Sequence, residues 1–130
     1  MIQGQFITSV LIVDDSPIVC ERLTTMLSEV GHVKVVGDAG TAASALDKIW
    51  SLRPDVVILD IQMPGLSGMY VLEKMKKFPP MPKVIVLTNY PFPHFKNACL
   101  AGGADYFFDK SKDFEKILDV FRTNGLSNHS

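Results

Sequence analysis

The chain has 130 residues, 47% of them hydrophobic, with 13 basic and 14 acidic side chains and a formal charge of −1. That is the length of one domain with enough apolar material for one core, which excludes wholesale disorder. The near-neutral balance excludes a global basic field for nucleic acid and a polybasic membrane patch, and no apolar run approaches a membrane span. Met1-Ile2-Gln3-Gly4-Gln5 lacks the basic start and long apolar stretch of a signal peptide, so a cytoplasmic location is expected. Cys20 and Cys99 stand far apart with no Cys-x-x-Cys or Cys/His cluster. Zinc and thioredoxin-type chemistry therefore have no support, and each thiol reads as a small buried hydrophobe.

In chain order, residues 1–8 form a short leader without pattern. Ser9 to Val13 reads as the first strand, an apolar run that ends at Asp14-Asp15. Ser16 is a helix N-cap with Pro17 at the first helical position, and Val19, Leu23, Met26, Leu27 and Val30 recur at helical spacing until Gly31. Val33 to Val36 is a second strand, closed by Gly37. Thr41 caps a second helix with the stripe Ala42, Ala45, Leu46 and Ile49, stopped by Arg53-Pro54.

Asp55 to Leu59 is the third strand, a β-branched run buried on both faces that ends abruptly in Asp60. Gln62-Met63-Pro64-Gly65-Leu66-Ser67-Gly68 is a turn-rich loop before a third helix through Val71, Leu72 and Met75. Phe78-Pro79-Pro80-Met81-Pro82 cannot be helical. Lys83 to Leu87 is the fourth strand, ending in Thr88, and Tyr90-Pro91-Phe92-Pro93 is a loop. A short helix from about His94 to Ala101 stops at Gly102-Gly103. Tyr106 to Phe108 is the fifth strand, ending at Asp109-Lys110. Ser111 or Asp113 opens a last helix with Phe114, Ile117, Leu118 and Phe121 on one stripe, and the tail from Asn124 to Ser130 is polar.

Strand and helix alternate five times, which predicts one parallel sheet with helices on both faces and right-handed crossovers. Residues 1–130 read as a single domain with its core over about 8–123 and a polar tail at 124–130. In such sheets ligands bind beyond the C-terminal strand ends, where the strand order reverses. Asp14, Asp15, Asp60, Thr88 and Lys110 all fall at strand ends. If the first and third strands are neighbours, three carboxylates converge.

Four segments carry a family resemblance: Leu11-Ile12-Val13-Asp14-Asp15-Ser16, Leu59-Asp60-Ile61-Gln62-Met63-Pro64-Gly65, Val86-Leu87-Thr88 and Gly103-Ala104-Asp105-Tyr106-Phe107-Phe108-Asp109-Lys110. In this order, each at a strand end, they resemble the receiver domain of a two-component response regulator. The resemblance implies a CheY-like, flavodoxin-like fold: a five-stranded parallel sheet of order 2-1-3-4-5 flanked by five helices. It implies a switch rather than a multiple-turnover enzyme on an external substrate. Asp60 would be the phosphorylated residue and accept a phosphoryl group from a sensor histidine kinase or phosphotransfer protein. Mg²⁺ would be held by Asp15 and Asp60, the backbone carbonyl of Gln62, and Asp14 mainly through water. Lys110 and Thr88 would contact the phosphoryl oxygens, and Thr88 and Phe107 would be the switch pair.

A carboxylate needs no general base, being ionised at pH 7 with an ordinary pKa of about 3.9. Mg²⁺ takes oxygen ligands in near-octahedral geometry. The resemblance further implies a downstream protein partner on the fourth helix, fifth strand and fifth helix, and a monomer or a phosphorylation-dependent dimer. No membrane contact and no direct nucleic-acid binding by this domain are expected. The chain reads as a stand-alone receiver or as the N-terminal domain of a longer regulator.

Ser111 follows Lys110 where many receivers have a proline joined by a cis bond. A cis bond before a residue other than proline costs about 2.5–4 kcal/mol, so a trans bond is predicted there. Tyr90 is expected to shield the acyl phosphate. Taken singly, each residue has a plainer reading: Asp60, Asp14 and Asp15 as helix caps or solvated loop groups, Lys110 as a solvated charge, Thr88 as a strand former, Phe107 as core. Asp38, Asp105 and Asp109 read as caps or solvated groups, and His94 as surface. Two other functions compete. A Mg²⁺-dependent aspartyl phosphatase would usually place a second aspartate two residues after the nucleophile, where Gln62 stands and cannot act as an acid or base. A flavodoxin-like cofactor binder needs a phosphate-cradling loop after the first strand, where Asp14-Asp15 would repel phosphate.

Overall fold

A computed structural model describes residues 7–63, 67–77 and 79–122. The elements are β1 (Thr8–Val13), α1 (Pro17–Leu27), β2 (Val33–Ala39), α2 (Ala42–Leu52), β3 (Val56–Leu59), α3 (Gly68–Lys76), β4 (Lys83–Thr88), α4 (Pro93–Ala101), β5 (Tyr106–Asp109) and α5 (Lys116–Arg122). All pairings are parallel, in the order β2-β1-β3-β4-β5. This is the predicted CheY-like fold.

Successive strand side chains point to opposite faces, so each central strand supplies two cores. Leu11, Val13, Val57, Leu59, Val84 and Val86 pack under α2, α3 and α4. Val10, Ile12, Val56, Ile58, Ile85 and Leu87 pack under α1 and α5. Because both faces of β1, β3 and β4 are covered, those strands are apolar at nearly every position. Truncating one of these side chains, such as Leu59, to alanine costs about 2–5 kcal/mol.

Local signals set the helix ends. The Ser16 hydroxyl accepts from the Val19 amide at 3.3 Å, and the Thr41 hydroxyl accepts from the Ser44 amide at 3.1 Å. Each satisfies an amide that a helix start leaves unpaired. Arg53 ends α2 in the left-handed region at φ 48°.

Several boundaries differ from expectation. β2 continues through Gly37 to Ala39, because the register skips from Val10↔Val35 to Leu11↔Gly37 and Val36 is an extra, bulged residue. Gly37 therefore belongs to the irregularity rather than to a strand end. α1 stops at Leu27, with Ser28 as its C-cap, and the chain then turns through Glu29 and Val30 to bury Val30. α5 begins at Lys116, because residues 109–113 are tied to one another first. α4 starts one residue early, with Pro93 in its first turn. The leader residues 1–6, the loop residues Pro64, Gly65 and Leu66, Phe78, and the tail from residue 123 lie outside the described residues. Among the described residues the one cis peptide bond is Pro79–Pro80, so Lys110–Ser111 is trans as predicted.

Candidate functional site

Strand order reverses at β1, which has β2 on one side and β3 on the other. Val13 is in register with Leu59, so Asp14 and Asp60 leave the sheet side by side. The Asp60 amide donates to the Val13 carbonyl at 2.8 Å and fixes that exit. Asp14, Asp15 and Asp60 each offer a carboxylate oxygen, and these oxygens all lie within 4.8 Å of one another. The predicted convergence of three carboxylates is present.

Lys110 reaches the site from the far side of β4. Thr88 pairs with Asp109, and the Lys110 amide donates to the Thr88 carbonyl at 2.8 Å. From there the Lys110 ammonium spans two strands: Nζ is 2.8 Å from Asp14 Oδ2 and 3.1 Å from Asp60 Oδ2. Both carboxylates are almost fully buried. Their other oxygens accept backbone amides, Ser16 on Asp14 and Gln62 on Asp60, each at 2.9 Å. Asp15 is exposed at the rim.

Burial pushes the Asp60 carboxyl above its ordinary value; the Gln62 amide and Lys110 offset this in part, and Asp14 adds to it. For Lys110, burial acts to lower the pKa, but the pairing with Asp14 and Asp60 prevails and holds it above the ordinary value. Three carboxylates and one ammonium leave a formal −2 on the cluster. An all-oxygen donor set of that charge suits a hard dication such as Mg²⁺, which bonds oxygen at about 2.0–2.1 Å and retains waters for the remaining positions. Gln62 is exposed, and its amide is committed to Asp60.

Thr88 is fully buried, and its hydroxyl oxygen accepts from the Tyr90 amide at 3.0 Å. It ends β4 on the face covered by α4, the face onto which Phe107 also packs, half-buried. Tyr90 itself is 47% exposed. Its ring joins a surface cluster with Phe92, His94 and Phe95, in which the His94 and Phe95 centroids are 4.4 Å apart. His94 is a surface residue, as expected. Cys20 and Cys99 are buried and unpaired by disulfide. Burial, with Asp38 and Asp14 nearby, pushes the Cys20 thiol up to about 11.

Two features of the site went unread in the sequence. An added Cβ on Gly68 would fall 2.3 Å from the Asp60 carbonyl oxygen, so only glycine lets α3 start against the Asp60 backbone. A glycine eight residues beyond a strand-end aspartate and opening a helix was the available signal. The second is the set of hydrogen bonds around Lys110. Asp109 Oδ1 accepts from both the Ser111 amide and hydroxyl at 2.8 Å, and Asp113 Oδ2 accepts from the Asp109 amide at 3.0 Å. Asp105, expected to be a cap or a solvated group, accepts from the Val84 amide at 2.9 Å.

Residues 10–122 match the response regulator receiver domain family. The response regulator GacA of Pseudomonas syringae pv. syringae (strain B728a) is 33% identical over 87% of this chain and 53% of its own. Protein-glutamate methylesterase/protein-glutamine glutaminase 1 of Methanospirillum hungatei JF-1 is 35% identical over 85% of this chain and 33% of its own. Among solved structures, the signal receiver domain of the putative response regulator NarL from Mycobacterium tuberculosis is 30% identical, with a TM-score of 0.79 over 90% of this chain and 98% of that one. The chain thus spans about a quarter to a half of the length of the curated relatives it matches. No helix among the described residues is long and apolar enough to cross a membrane.

Proposed function

The chain belongs to the response regulator receiver domain family, the regulatory, aspartate-phosphorylated modules of two-component signalling, and from that premise we propose that Asp60 is its phosphoryl acceptor. The observation that carries this reading is the convergence of Asp14, Asp15 and Asp60 with the Lys110 ammonium bonded to Asp60.

In the proposed reaction an Asp60 carboxylate oxygen attacks the phosphorus of a phosphohistidine on a kinase or phosphotransfer protein. An O–P bond forms and the P–N bond breaks. The electron pair stays on the imidazole, which leaves neutral when its other nitrogen carries a proton. Asp60 is aimed for attack by the Gln62 amide on Oδ1 and by Lys110 on Oδ2. Burial raises its carboxyl above the ordinary value, which makes the carboxylate a somewhat stronger nucleophile. Asp14 and Asp15, with Asp60 and the Gln62 carbonyl, would hold Mg²⁺. When bound, that ion supplies positive charge to the phosphoryl oxygens and cancels the −2 of the cluster. Lys110 then exchanges a carboxylate partner for a phosphoryl oxygen, keeping a charge-assisted bond throughout.

The output follows from Thr88. Its hydroxyl is tied to the Tyr90 amide and so to the β4–α4 loop. Turning toward a phosphoryl oxygen on Asp60 would draw that loop inward and open space for Phe107, which shares the same face of the sheet. Phosphorylation would thereby shift a population between two arrangements of the α4–β5–α5 surface, read by a downstream protein or output domain, as a monomer or through a dimer. Tyr90 would shield the acyl phosphate.

The test is incubation with a small phosphoryl donor and Mg²⁺, followed by intact-mass measurement. The wild type should gain one hydroxylamine-labile phosphoryl group and Asp60→Ala none. Equal labelling of the variant would refute Asp60 as acceptor, and multiple turnover of the donor without a stable adduct would favour a phosphatase.

A further inference from the structure

We propose that Asp109, Ser111 and Asp113 are positioning residues for Lys110, a hydrogen-bonded brace that aims its ammonium at the phosphoryl-transfer site. The inference rests on Asp60 being the acceptor.

Lys110 is the last group before the chain turns away from the sheet, and its four side-chain torsions would let an unrestrained ammonium wander. Its neighbours bear on the backbone that carries it. The Asp109 carboxylate, buried beside β4, folds forward over Lys110 and accepts from the Ser111 amide and hydroxyl, both at 2.8 Å. The Asp113 carboxylate reaches back and accepts from the Asp109 amide at 3.0 Å, while the Asp113 amide donates to the Asp109 carbonyl at 2.8 Å. Residues 109–113 thus form a closed loop with Lys110 at its corner. The outer end is held by Lys116, whose ammonium is 3.0 Å from Asp113 Oδ1.

The plainer reading makes Asp113 the cap of α5. Its carboxylate does not serve that end: Oδ2 points back to β5, and Oδ1 takes a side chain rather than a helix amide. The brace also depends on Ser111 being a residue with an amide hydrogen. Many receivers carry proline there. A proline could offer neither of the two donors that Asp109 accepts here. The trans bond at Lys110–Ser111 and the Asp109 bonds therefore go together: this chain fixes the lysine's backbone by hydrogen bonding.

A positioning role makes a demand that general stabilisation does not. Its loss must be felt through Lys110. The experiment measures the initial rate of Asp60 phosphorylation by acetyl phosphate and Mg²⁺ in the whole chain, with thermal midpoints recorded in parallel. Asp109→Ala should be slower by roughly tenfold to a hundredfold, the scale on which small misplacements in a transfer site act. Asp109→Asn should recover most of the rate, because the amide oxygen still accepts from Ser111. In a Lys110→Ala background Asp109→Ala should have no further effect. If Asp109→Ala does not fold, Ser111→Ala carries the same comparison, with a loss of a few-fold that disappears without Lys110.

A second readout needs no turnover. The Lys110 ammonium signal in nitrogen-15 NMR should shift in Asp109→Ala and stay in place in Asp109→Asn. Losses that multiply in the double variant, or an Asp109→Ala chain as fast as wild type with an unmoved Lys110 signal, would overturn the brace. Phosphorylation that persists in Asp60→Ala would instead overturn the acceptor assignment and is read in its own arm.

Discussion

Gly68 stands so close to Asp60 that a methyl group on its Cα would lie 2.3 Å from the Asp60 carbonyl oxygen and 2.7 Å from the Ile61 Cα. The start of α3 is thereby packed onto the backbone that presents the acceptor carboxylate. Glycine within a helix ordinarily costs about 1 kcal/mol relative to alanine, so Gly68→Ala would stabilise the chain if helix propensity decided. The obstructing atoms are backbone and cannot swing away. Overpacking of this kind costs about 1–3 kcal/mol or more and should reverse the sign. A lowered urea midpoint together with slower phosphorylation is expected. A Gly68→Ala chain that is as stable and as active as wild type would refute the role assigned to this contact.

The acidic cluster sets a second expectation, for Asp60→Asn in the absence of metal. The variant loses a charge-assisted bond to Lys110, about 1.5–3 kcal/mol. It also removes the larger cost of burying an ionised carboxylate, to which repulsion from Asp14 adds. Relief wins, and the thermal midpoint should rise at pH 7. The folded-state pKa of Asp60 lies above its ordinary 3.8, chiefly through burial. The stabilisation from its protonated form is therefore complete below about pH 3.8 and is lost as pH rises through the raised value. The advantage of Asp60→Asn should shrink as pH falls toward that limit. Mg²⁺ should raise the wild-type midpoint more than that of the variant. A midpoint for Asp60→Asn below wild type at pH 7 without metal would count against the charge argument.

The site was far more legible than its supports. Asp14, Asp15, Asp60, Thr88 and Lys110 could be read because each ends an apolar strand, where a polar residue needs a reason, and because a parallel sheet brings strand ends together. The extension of β2 was hidden because Gly37 looks like a turn residue, and only pairing with β1 reveals that Val36 is bulged out. The late start of α5 was hidden for a similar reason: Ser111 and Asp113 both resemble helix caps, yet Ser111 donates to Asp109, and Asp113 accepts from the Asp109 amide and pairs with Lys116. Side-chain direction decides such cases, and periodicity does not carry it.

The same two aspartates make an acid-stability prediction. The Ser111 amide and hydroxyl hold the Asp109 carboxyl below its ordinary value, and the Asp109 amide and Lys116 do the same for Asp113. Folded-state values that are lowered stabilise the fold above the ordinary carboxylate range, and that stabilisation is lost as pH falls through the lowered values. Asp113→Asn should therefore be less stable than wild type at pH 7 and lose less stability than wild type on acidification below about pH 4. Urea midpoints measured at several pH values give both limbs. Parallel wild-type and variant curves across the acid range would show that the Asp113 charge contributes nothing.

Thr88 separates packing from signalling. It is fully buried, and its hydroxyl oxygen is the acceptor for the Tyr90 amide. Thr88→Val keeps the shape but leaves that amide without its partner, at a cost of about 1–3 kcal/mol. It also removes the hydroxyl that would turn to a phosphoryl oxygen. Thr88→Ser keeps both functions with one methyl fewer. Both variants should still be phosphorylated on Asp60, since both keep the residue 88 carbonyl that holds the Lys110 amide and leave the Asp14, Asp15 and Lys110 side chains unchanged. With a beryllofluoride phosphoryl mimic and Mg²⁺, Thr88→Ser should show the wild-type pattern of NMR shifts across β4, α4 and β5, and Thr88→Val should confine the shifts to the Asp60 surroundings. Full propagation in Thr88→Val would remove Thr88 from the switch and leave Phe107 packing to act without it.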